Sequence, residues 1–208
     1  MAEAPKKKRA TYQEVLDAPA HMIAEIINGE LRLHRPGNPA TAVASSLSIE
    51  IGSRFGRGRG GPGGWIILLE PELHFGEEVV VPDLAGWRRE RLPVIPDEPF
   101  MTLPPDWVCE VLSKSTQRTD RFEKMPLYAS VGIAHAWLVN PRDRGVEAFR
   151  LHDGKWLALG VYKDNDRARI EPFDAIEMDL ALLWEDLPLP TRASEASAEY
   201  VYGIDSYY

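Results

Sequence analysis

The sequence contains one cysteine, Cys109, and no long apolar run. A single thiol cannot form an intramolecular disulfide, and Cys109 lies among apolar residues, so we expect a buried, unreactive thiol in a reducing compartment. No apolar run approaches the ~18 residues that predict a membrane span, and no signal-peptide core follows the basic start. We therefore expect a cytoplasmic protein that has no contact with a membrane.

Positive charge is also scarce. The chain has 24 lysine and arginine residues against 32 aspartate and glutamate residues, which gives a formal net charge of −8. Tight, sequence-independent binding of nucleic acid needs many contacts from lysine and arginine to phosphate, so this balance argues against a surface built for it. It does not exclude a local basic cleft. Arg54, Arg57 and Arg59 stand among glycines and could contact phosphates, although a solvated loop is the simpler interpretation.

A length of 208 residues suits one domain with a sizeable core. Residues 1–10 have the composition of a flexible basic leader, in which Pro5–Arg9 resembles a nuclear-localisation run without other support. Residues 11–187 carry regular patterns of apolar residues. Residues 188–208 form a small, acidic and aromatic tail, which we expect to be poorly ordered unless a partner holds it.

Local patterns in the first half of residues 11–187 predict one helix and several strands. Asn28-Gly29 between two short apolar runs predicts a β-hairpin. An apolar residue at every fourth position from Val43 to Ile51 predicts an amphipathic helix. The runs 65–75 and 79–87 each predict one strand, and the polar turn at 76–78 makes these two strands antiparallel neighbours.

The second half predicts a strand–helix–strand crossover. Residues 107–113 predict a strand, a helix capped by Thr119 or Asp120 follows, and residues 135–140 predict another strand. A crossover of this length places its two strands parallel in one sheet. A further hairpin is centred on Asp153-Gly154. The predicted fold class is therefore α/β, with a mixed central β-sheet flanked by helices and with extra β-hairpins.

Two carboxylates fall where a cleft can form. Asp83 follows Pro82 directly after three valines, and a proline there loosens the pairing of the sheet. Glu110 lies in the middle of an apolar strand, where burial of an unpaired carboxylate costs on the order of several kcal/mol. Such a group is normally paired with a cation, bound to a metal or protonated. Two carboxylates on neighbouring strands make a pair of hard oxygen ligands that suits Mg²⁺.

The helix after this strand carries two stripes of residues. Asp120, Lys124 and Tyr128 are spaced by four residues and share one stripe. An apolar stripe from Phe122 to Ala129 forms the second, which we expect to dock on the sheet. The ammonium group of Lys124 could then reach toward the sheet and stabilise charge in phosphoryl transfer or orient an attacking water.

Each of these residues also has a structural explanation. Asp83 could be a turn aspartate, and Lys124 could be a solvated helix lysine. Glu110 could form a buried salt bridge with Lys124 or Arg121. Two carboxylates and a lysine are common, so the spacing alone does not separate a catalytic role from a structural one.

Five runs in fixed order resemble the Uma2 family of restriction-endonuclease-like proteins. They are "IINGEL", "PDLAGW", "PDWVCEVLSKST", "DRFEKMPLYASVGIAHAWLVNP" and "AIEMDLALLW", and the resemblance covers roughly residues 11–187. It implies the core of the PD-(D/E)xK nucleases. It also implies an endonuclease that depends on Mg²⁺, for which Mn²⁺ can substitute, that acts on DNA and that works as a homodimer.

The resemblance also assigns the site, one residue at a time. The motif aspartate falls on Asp83 and the strand glutamate on Glu110, and together with the main-chain carbonyl of Val111 they would bind the metal. The lysine that usually follows the glutamate by two positions is replaced here by Leu112. In the family this lysine lies on the next helix, which makes Lys124 the catalytic candidate.

The family pattern D-R-x-x-K-x-x-x-Y is kept in the helix that carries this lysine. Asp120 or Tyr128 would orient the lysine, and Arg121 joins the three arginines of the glycine-rich run as a candidate for phosphate contacts. Lys114 lies just past the strand of Glu110 and is the reserve lysine.

Two further carboxylates are weaker candidates. Glu50 lies on the edge of the first helix's apolar stripe, where a solvated glutamate is also expected. Glu72 lies on the strand predicted to pair with that of Asp83. Family members often carry a histidine after a proline at the start of the first helix, and here Thr41 or a neighbour takes its place. The competing hypothesis is a catalytically silent member that acts as a binding or assembly module. A structural salt bridge in an unrelated α/β protein is a third.

Overall fold

The computed structural model describes residues 8–189. Most of the predicted leader and nearly all of the predicted tail therefore lie outside the described residues. At the boundary of the leader, the Ala10 amide donates to the Gly29 carbonyl over 2.8 Å, and Arg9 pairs with Glu78 at 3.1 Å.

Twelve strands and five α-helices make up the described part of the chain. The strands are β1 (Ile23–Ile27), β2 (Glu30–His34), β3 (Trp65–Leu69), β4 (Leu73–Phe75), β5 (Glu78–Val80), β6 (Leu84–Arg88), β7 (Trp107–Val111), β8 (His135–Asn140), β9 (Gly145–His152), β10 (Lys155–Lys163), β11 (Arg167–Ala168) and β12 (Met178–Asp179). The helices are α1 (Tyr12–Leu16), α2 (Asn38–Ile51), α3 (Gln117–Thr119), α4 (Met125–Ser130) and α5 (Ala181–Trp184). Two π-helical turns, Gly52–Gly56 and Asp120–Lys124, extend α2 and join α3 to α4.

The strands form a six-stranded sheet in the order β10-β9-β8-β7-β6-β3, a four-stranded sheet in the order β2-β1-β5-β4, and a small pair, β11-β12. In the large sheet only β7 and β8 are parallel, as the crossover predicts, and the other neighbours are antiparallel. The predicted α/β class with a mixed central sheet flanked by helices is confirmed.

Both predicted hairpins are present. The first turns at Asn28 and Gly29, whose φ angles are 54° and 73°, the left-handed values that an Asn-Gly turn supplies at low cost. The second joins β9 to β10 across Asp153-Gly154, also with positive φ. The predicted helix over Val43 to Ile51 is α2, and Val43, Leu47 and Ile51 are all buried.

The two long strands predicted at 65–75 and 79–87 are each divided between two sheets, and this corrects the sequence prediction. Their antiparallel pairing is confirmed in both halves, β3 with β6 and β4 with β5. The breaks fall at Glu70, whose φ of 44° bends the chain before Pro71, and at Pro82. Proline has no amide to donate to a ladder, so both prolines end the pairing. The division places Asp83 at the junction of the two sheets.

The helix after β7 begins earlier than predicted. Its first residue is Gln117 and the residue before it is Thr116, so neither Thr119 nor Asp120 is the cap. We call the continuous stretch α3, π-helical turn and α4 (residues 117–130) the Lys124 helix.

The face by which this helix docks is also opposite to the predicted one. Phe122 is 72% exposed, whereas Lys124 is 1% exposed and points to the sheet. The charged stripe faces the sheet, because carboxylates from two strands contact Lys124 on that side of the helix. Met125 is the one member of the apolar stripe that is buried with it.

The six-stranded sheet is covered on both faces. Helix α2 packs on the face that carries Trp107, Cys109 and Val111, within one apolar cluster. The Lys124 helix packs on the opposite face, where Val108 and Leu112 contact the cluster of Met125. This alternation follows the period of a strand, and it leaves Cys109 fully buried as predicted.

Candidate active site

Asp83 and Glu110 lie side by side on neighbouring strands. Leu84 pairs with Cys109 in the ladder between β6 and β7, so the position before Leu84 faces Glu110 across the strands. The Val111 amide donates to Asp83 Oδ2 over 2.7 Å. This hydrogen bond holds the aspartate against β7 just after Pro82 has interrupted the sheet. Asp83 and Glu110 both line a cleft between the two sheets.

Lys124 enters the same cleft from its helix and is fully enclosed. Its Nζ lies 3.0 Å from Glu110 Oε1 and 3.1 Å from Oε2. The Tyr128 hydroxyl donates a short hydrogen bond to Glu110 Oε1. Glu110 is 3% exposed, so these groups rather than bulk water surround its carboxylate. The salt bridge of Glu110 with Lys124, one of the structural explanations that the sequence offered, is thus present as a contact. Tyr128, which was predicted to orient Lys124, donates its hydroxyl to Glu110.

Glu25 is a residue of the site that sequence analysis missed. It lies in β1, is 1% exposed, and its Oε1 lies 2.8 Å from Lys124 Nζ. The Val81 amide donates to the same oxygen over 2.8 Å, and His34 Nε2 lies 3.4 Å from the other. The signal was available, since "IAEII" is an apolar strand interrupted by one glutamate, the same anomaly that marked Glu110.

Asp120 completes the ring of carboxylates around the lysine. It lies one turn before Lys124, is 3% exposed, and its Oδ1 lies 3.8 Å from Nζ. Glu110, Glu25 and Asp120 therefore surround one ammonium from β7, β1 and the helix itself. The site needs both sheets, because β1 belongs to the four-stranded sheet and β7 to the six-stranded one.

The pKa values reflect this excess of acids. Burial raises the pKa of Asp83 to about 6, against the opposing hydrogen bond from Val111. Burial likewise raises the pKa of Glu110 well above its usual value, although Lys124 opposes this. Burial also raises the pKa of Asp120. One ammonium thus does not compensate all of the carboxylates that face it.

Glu25 and Lys124 behave as the charged pair of the cluster. Burial works against the charge on Glu25, but Lys124, His34 and the Val81 amide outweigh it and lower the pKa of Glu25 to about 2. Burial also opposes the charge on Lys124, yet Glu110 and Glu25 outweigh it and raise the pKa of Lys124 well above its usual value. Lys124 is therefore an ammonium at neutral pH. Burial and the nearby Glu110 raise the pKa of the Tyr128 hydroxyl, which stays protonated.

The donor set of the cleft fits a small divalent cation in type. Asp83 and Glu110 offer carboxylate oxygens and Val111 offers a carbonyl. Within residues 8–189, no group of three or more histidine, cysteine, aspartate or glutamate side chains is arranged to hold a metal ion. Mg²⁺ usually keeps several waters and binds through one or two carboxylates, so a pair is sufficient for it. The raised pKa values of both carboxylates mark a position that a cation would stabilise.

Other polar residues line the cleft around Asp83 and Glu110. Glu70 approaches from the end of β3 and its charge helps to raise the pKa of Asp83. Thr41, which stands near the position of the family's histidine, lies in the first turn of α2 and opens into the cleft. Ser113 and Thr116 line it from the loop before the Lys124 helix.

The structure does not bring the three weaker candidates into this cluster. Lys114 is exposed and lines a separate depression beside β8. Glu50 pairs with Arg54 over 3.0 Å on the surface of α2. Glu72 lies before β4 rather than on a strand next to Asp83, and it accepts a hydrogen bond of 2.8 Å from the Tyr12 hydroxyl.

The four arginines predicted to contact phosphates are spread over the molecule. Arg121 donates to Glu147 over 2.8 Å, and Arg54 is occupied by Glu50. Arg57 and Arg59 lie beyond the end of α2, in a groove next to Trp65. Trp65 and Leu69 are opposite ends of β3, and Leu69 precedes the cleft residue Glu70, so this groove lies toward the far end of the strand.

A mixed sheet with helices on both faces and a buried cluster of carboxylates and one lysine defines a protein of the restriction-endonuclease-like α/β class. A crystal structure described as "a putative nuclease belonging to DUF820", from Anabaena variabilis ATCC 29413, shares this fold with a TM-score of 0.68 and 23% sequence identity. The match covers 85% of this chain and 98% of that one.

The chain belongs to the Uma2 family. The family model, described as "Putative restriction endonuclease", matches residues 10–182. A search of curated proteins returned no match. The recognition of this family from five short runs is confirmed, and membership supports a nuclease function. In the described part of the chain, no helix is both long and apolar enough to cross a membrane.

Proposed function

We propose that this protein is a metal-dependent endonuclease that hydrolyses phosphodiester bonds, with DNA as its substrate. The observation that carries the proposal is the pair Asp83 and Glu110, side by side in a cleft and facing a buried ammonium 3.0 Å from Glu110. The family of the chain supports the reaction class. Mg²⁺ is the expected metal, and Mn²⁺ is expected to substitute for it.

The excess of negative charge favours a metal-binding role over a structural salt bridge. A structural pair needs one carboxylate for one lysine, and Glu25 already satisfies Lys124 at 2.8 Å. Glu110 and Asp83 are then left with raised pKa values in a cleft open to solvent. Uncompensated carboxylates are costly when buried, so their presence is explained best by a cation that binds in function.

Asp83, Glu110 and the Val111 carbonyl would hold the metal. A bound Mg²⁺ would supply Lewis acidity to the scissile phosphate and lower the pKa of a bound water. The chain's own contribution is to fix the carboxylates: the Val111 amide orients Asp83, and the Tyr128 hydroxyl orients Glu110. Without a cation, an approaching phosphate would meet two negative charges in this cleft.

Lys124 would act as a charged donor and not as a general base, because Glu110 and Glu25 raise its pKa and keep it protonated. An ammonium at this position can orient the attacking water and stabilise the negative charge on the pentavalent phosphate. Glu25 and Asp120 would position Lys124 by holding its ammonium from two sides.

The second candidate function is a catalytically silent member that serves as a binding or assembly module. The net charge of −8 favours it, because excess negative charge repels the phosphates of a nucleic acid. The absence of the family's histidine near Thr41 favours it as well. A homodimer is expected for either function and remains a prediction.

The test compares cleavage of plasmid and single-stranded DNA by the wild-type protein and two variants, with Mg²⁺, Mn²⁺ or EDTA. Asp83→Asn should abolish cleavage, Lys124→Met should lower it on the order of 10²–10³-fold, and Lys114→Ala is the matched control that should retain it. Nicking that persists in both site variants would show that Asp83 and Lys124 do not form the catalytic site. Melting temperature is measured in parallel, because a rise with Mn²⁺ that is lost in Glu110→Gln reports metal binding even in a silent protein.

A further inference from the structure

Charged residues line the candidate active-site cleft at two depths. Glu110, Asp120 and Lys124 are buried and form its floor. Arg35 and Glu70 line the same cleft but are exposed, so they lie at its mouth. A substrate that approaches the floor therefore passes these two residues first, and they carry opposite charges.

The cations of the cleft are divided between the same two depths. Among the described residues that line the cleft, Arg35 is the only arginine and Lys124 is the only lysine. Glu25 and Glu110 hold the Lys124 ammonium at 2.8 and 3.0 Å, so this charge is directed to the floor. The cation that an incoming phosphodiester meets at the mouth is therefore Arg35.

The backbone of Arg35 is held in place by its neighbours. Residues 35–37 connect β2 directly to α2, which leaves little freedom for the connection. Pro36 has a fixed φ angle and also restricts the conformation of the residue before it. His34 Nε2 lies 3.4 Å from Glu25 Oε2, which ties the end of β2 to the site. Arg35 is thus positioned at the cleft by fixed elements while its side chain extends into solvent.

The guanidinium of Arg35 has donors for a phosphate. Its Nη2 lies 3.3 Å from His21 Nε2. A guanidinium carries five N–H donors in a planar fork, so this contact leaves donors for two oxygen atoms of a phosphate, which arginine binds bidentately. The carboxylate of Glu70, the other exposed charge at the mouth, repels a phosphate. A phosphodiester strand should therefore pass on the side of Arg35.

We propose that Arg35 binds the backbone of the substrate strand, at a phosphate that neighbours the scissile one. The contact lies at the mouth of the cleft, whereas Glu110, one of the two proposed metal ligands, is buried at the floor. A phosphate contact fixes the position of a strand and does not read its bases. The inference rests on the proposed function, because it takes the ligand of the cleft to be a nucleic acid.

The test is the salt dependence of DNA binding by the full chain. A labelled DNA duplex is titrated with protein in Ca²⁺, an oxygen-binding cation used here in place of Mg²⁺, and fluorescence anisotropy gives the affinity at rising salt concentration. Arg35→Ala should weaken binding on the order of tenfold. It should also lower the slope of log affinity against log salt by about 0.9, because one phosphate contact is lost.

Two further variants separate a phosphate contact from a general effect of charge or structure. Arg35→Lys should keep the wild-type slope but recover only part of the affinity, because an ammonium lacks the bidentate geometry of a guanidinium. Arg89→Ala is the matched control, since Arg89 is also exposed and lies in the groove next to Trp65, away from the cleft. It should keep both the affinity and the slope of the wild type.

Cleavage with Mg²⁺ gives an independent measurement. Arg35→Ala should raise KM about tenfold and leave kcat unchanged, because a contact to a neighbouring phosphate is made equally before and during the reaction. Wild-type affinity and slope in Arg35→Ala would overturn the contact, and so would an equal loss in Arg89→Ala.

The outcomes also distinguish this contact from the proposed function. Cleavage by the wild type that Arg35→Ala does not change would leave the endonuclease in place and overturn the contact. DNA binding that depends on Arg35 without any cleavage in Mg²⁺ or Mn²⁺ would support the contact and refute the endonuclease. A wild-type protein that binds no DNA would overturn both.

Discussion

The two faces of the six-stranded sheet differ in the type of side chain that strand β7 presents to them, apolar on one face and charged on the other. On the α2 face, β7 presents Trp107, Cys109 and Val111 to an entirely apolar cluster. On the other face the central residue of the same strand is Glu110, which meets Lys124 and Tyr128. Both faces are covered by helices that pack on them. The chain can therefore pack this sheet with apolar residues alone, and the charges on the second face need another explanation.

Stability does not supply that explanation. Burial of ions costs several kcal/mol per group as an order of magnitude, and replacement of a buried ion cluster by apolar residues is often neutral or stabilising. The raised pKa values of Asp83 and Glu110 are the local sign of that cost. The α2 face shows how the same sheet is packed where no charged group is needed, and the Lys124 face can be compared with it.

The largest loss of stability and of cleavage is expected from Lys124→Met, on the charged face of the sheet. Loss of this buried ammonium leaves Glu25 and Glu110 without their cation, which should cost about 3–5 kcal/mol of unfolding free energy. Cleavage should fall on the order of 10²–10³-fold. The control on the apolar face is Leu47→Met, with a cost under about 1.5 kcal/mol and full activity. Urea denaturation and plasmid cleavage measure both, and equal effects of the two substitutions would contradict the comparison.

Glu25→Gln should affect the pH dependence of stability. Lys124 and the Val81 amide hold the folded pKa of Glu25 at about 2, below its usual 4.5. An acid with a lowered folded pKa stabilises the protein above its unfolded value, and the contribution disappears as the pH falls from 4.5 to 2. This lowering of the pKa corresponds to about 3 kcal/mol of stability. Denaturation from pH 7 to pH 2 should show this loss in the wild type and not in the variant.

Asp83→Asn is expected to act in the opposite direction on stability. Burial raises the folded pKa of Asp83 from 3.8 to about 6, so its ionised form opposes folding above pH 6. The cost is absent below about pH 4 and is complete above pH 6, and it amounts to at most about 2–3 kcal/mol. In EDTA at pH 8 the variant should therefore melt at a higher temperature than the wild type while cleavage is lost. A lower melting temperature at pH 8 would show that the charge of Asp83 is already compensated.

The comparison also explains which parts were predictable from sequence. The alternation of Trp107 to Leu112 follows from the period of a strand, and the Asn28-Gly29 hairpin follows from turn chemistry. The docking face of the Lys124 helix was not predictable from its own stripes. A lysine becomes buried only because Glu25 and Glu110, from two different sheets, meet at its position, and that meeting is a tertiary property.

The same limit applies to the division of the two long strands at Glu70 and Pro82. Each run is apolar throughout, so its local pattern does not reveal that its halves belong to different sheets. Glu25 was missed for a related reason. A glutamate in the first strand of a hairpin can face solvent, and Glu25 is buried only because β5 and Lys124 contact β1 in the folded chain.

Lys114→Ala should have the smallest effect, and it separates the two lysines that the sequence offers near Glu110. Lys114 is exposed and lines a depression apart from Asp83 and Glu110, whereas Lys124 is 1% exposed and lies between Glu25 and Glu110. An exposed lysine without buried partners changes stability by less than about 0.5 kcal/mol. Its removal should leave cleavage within about twofold of the wild type, because it takes no part in stabilising charge in the cleft. A loss comparable to that of Lys124→Met would reverse the assignment and place the catalytic ammonium on the loop after β7.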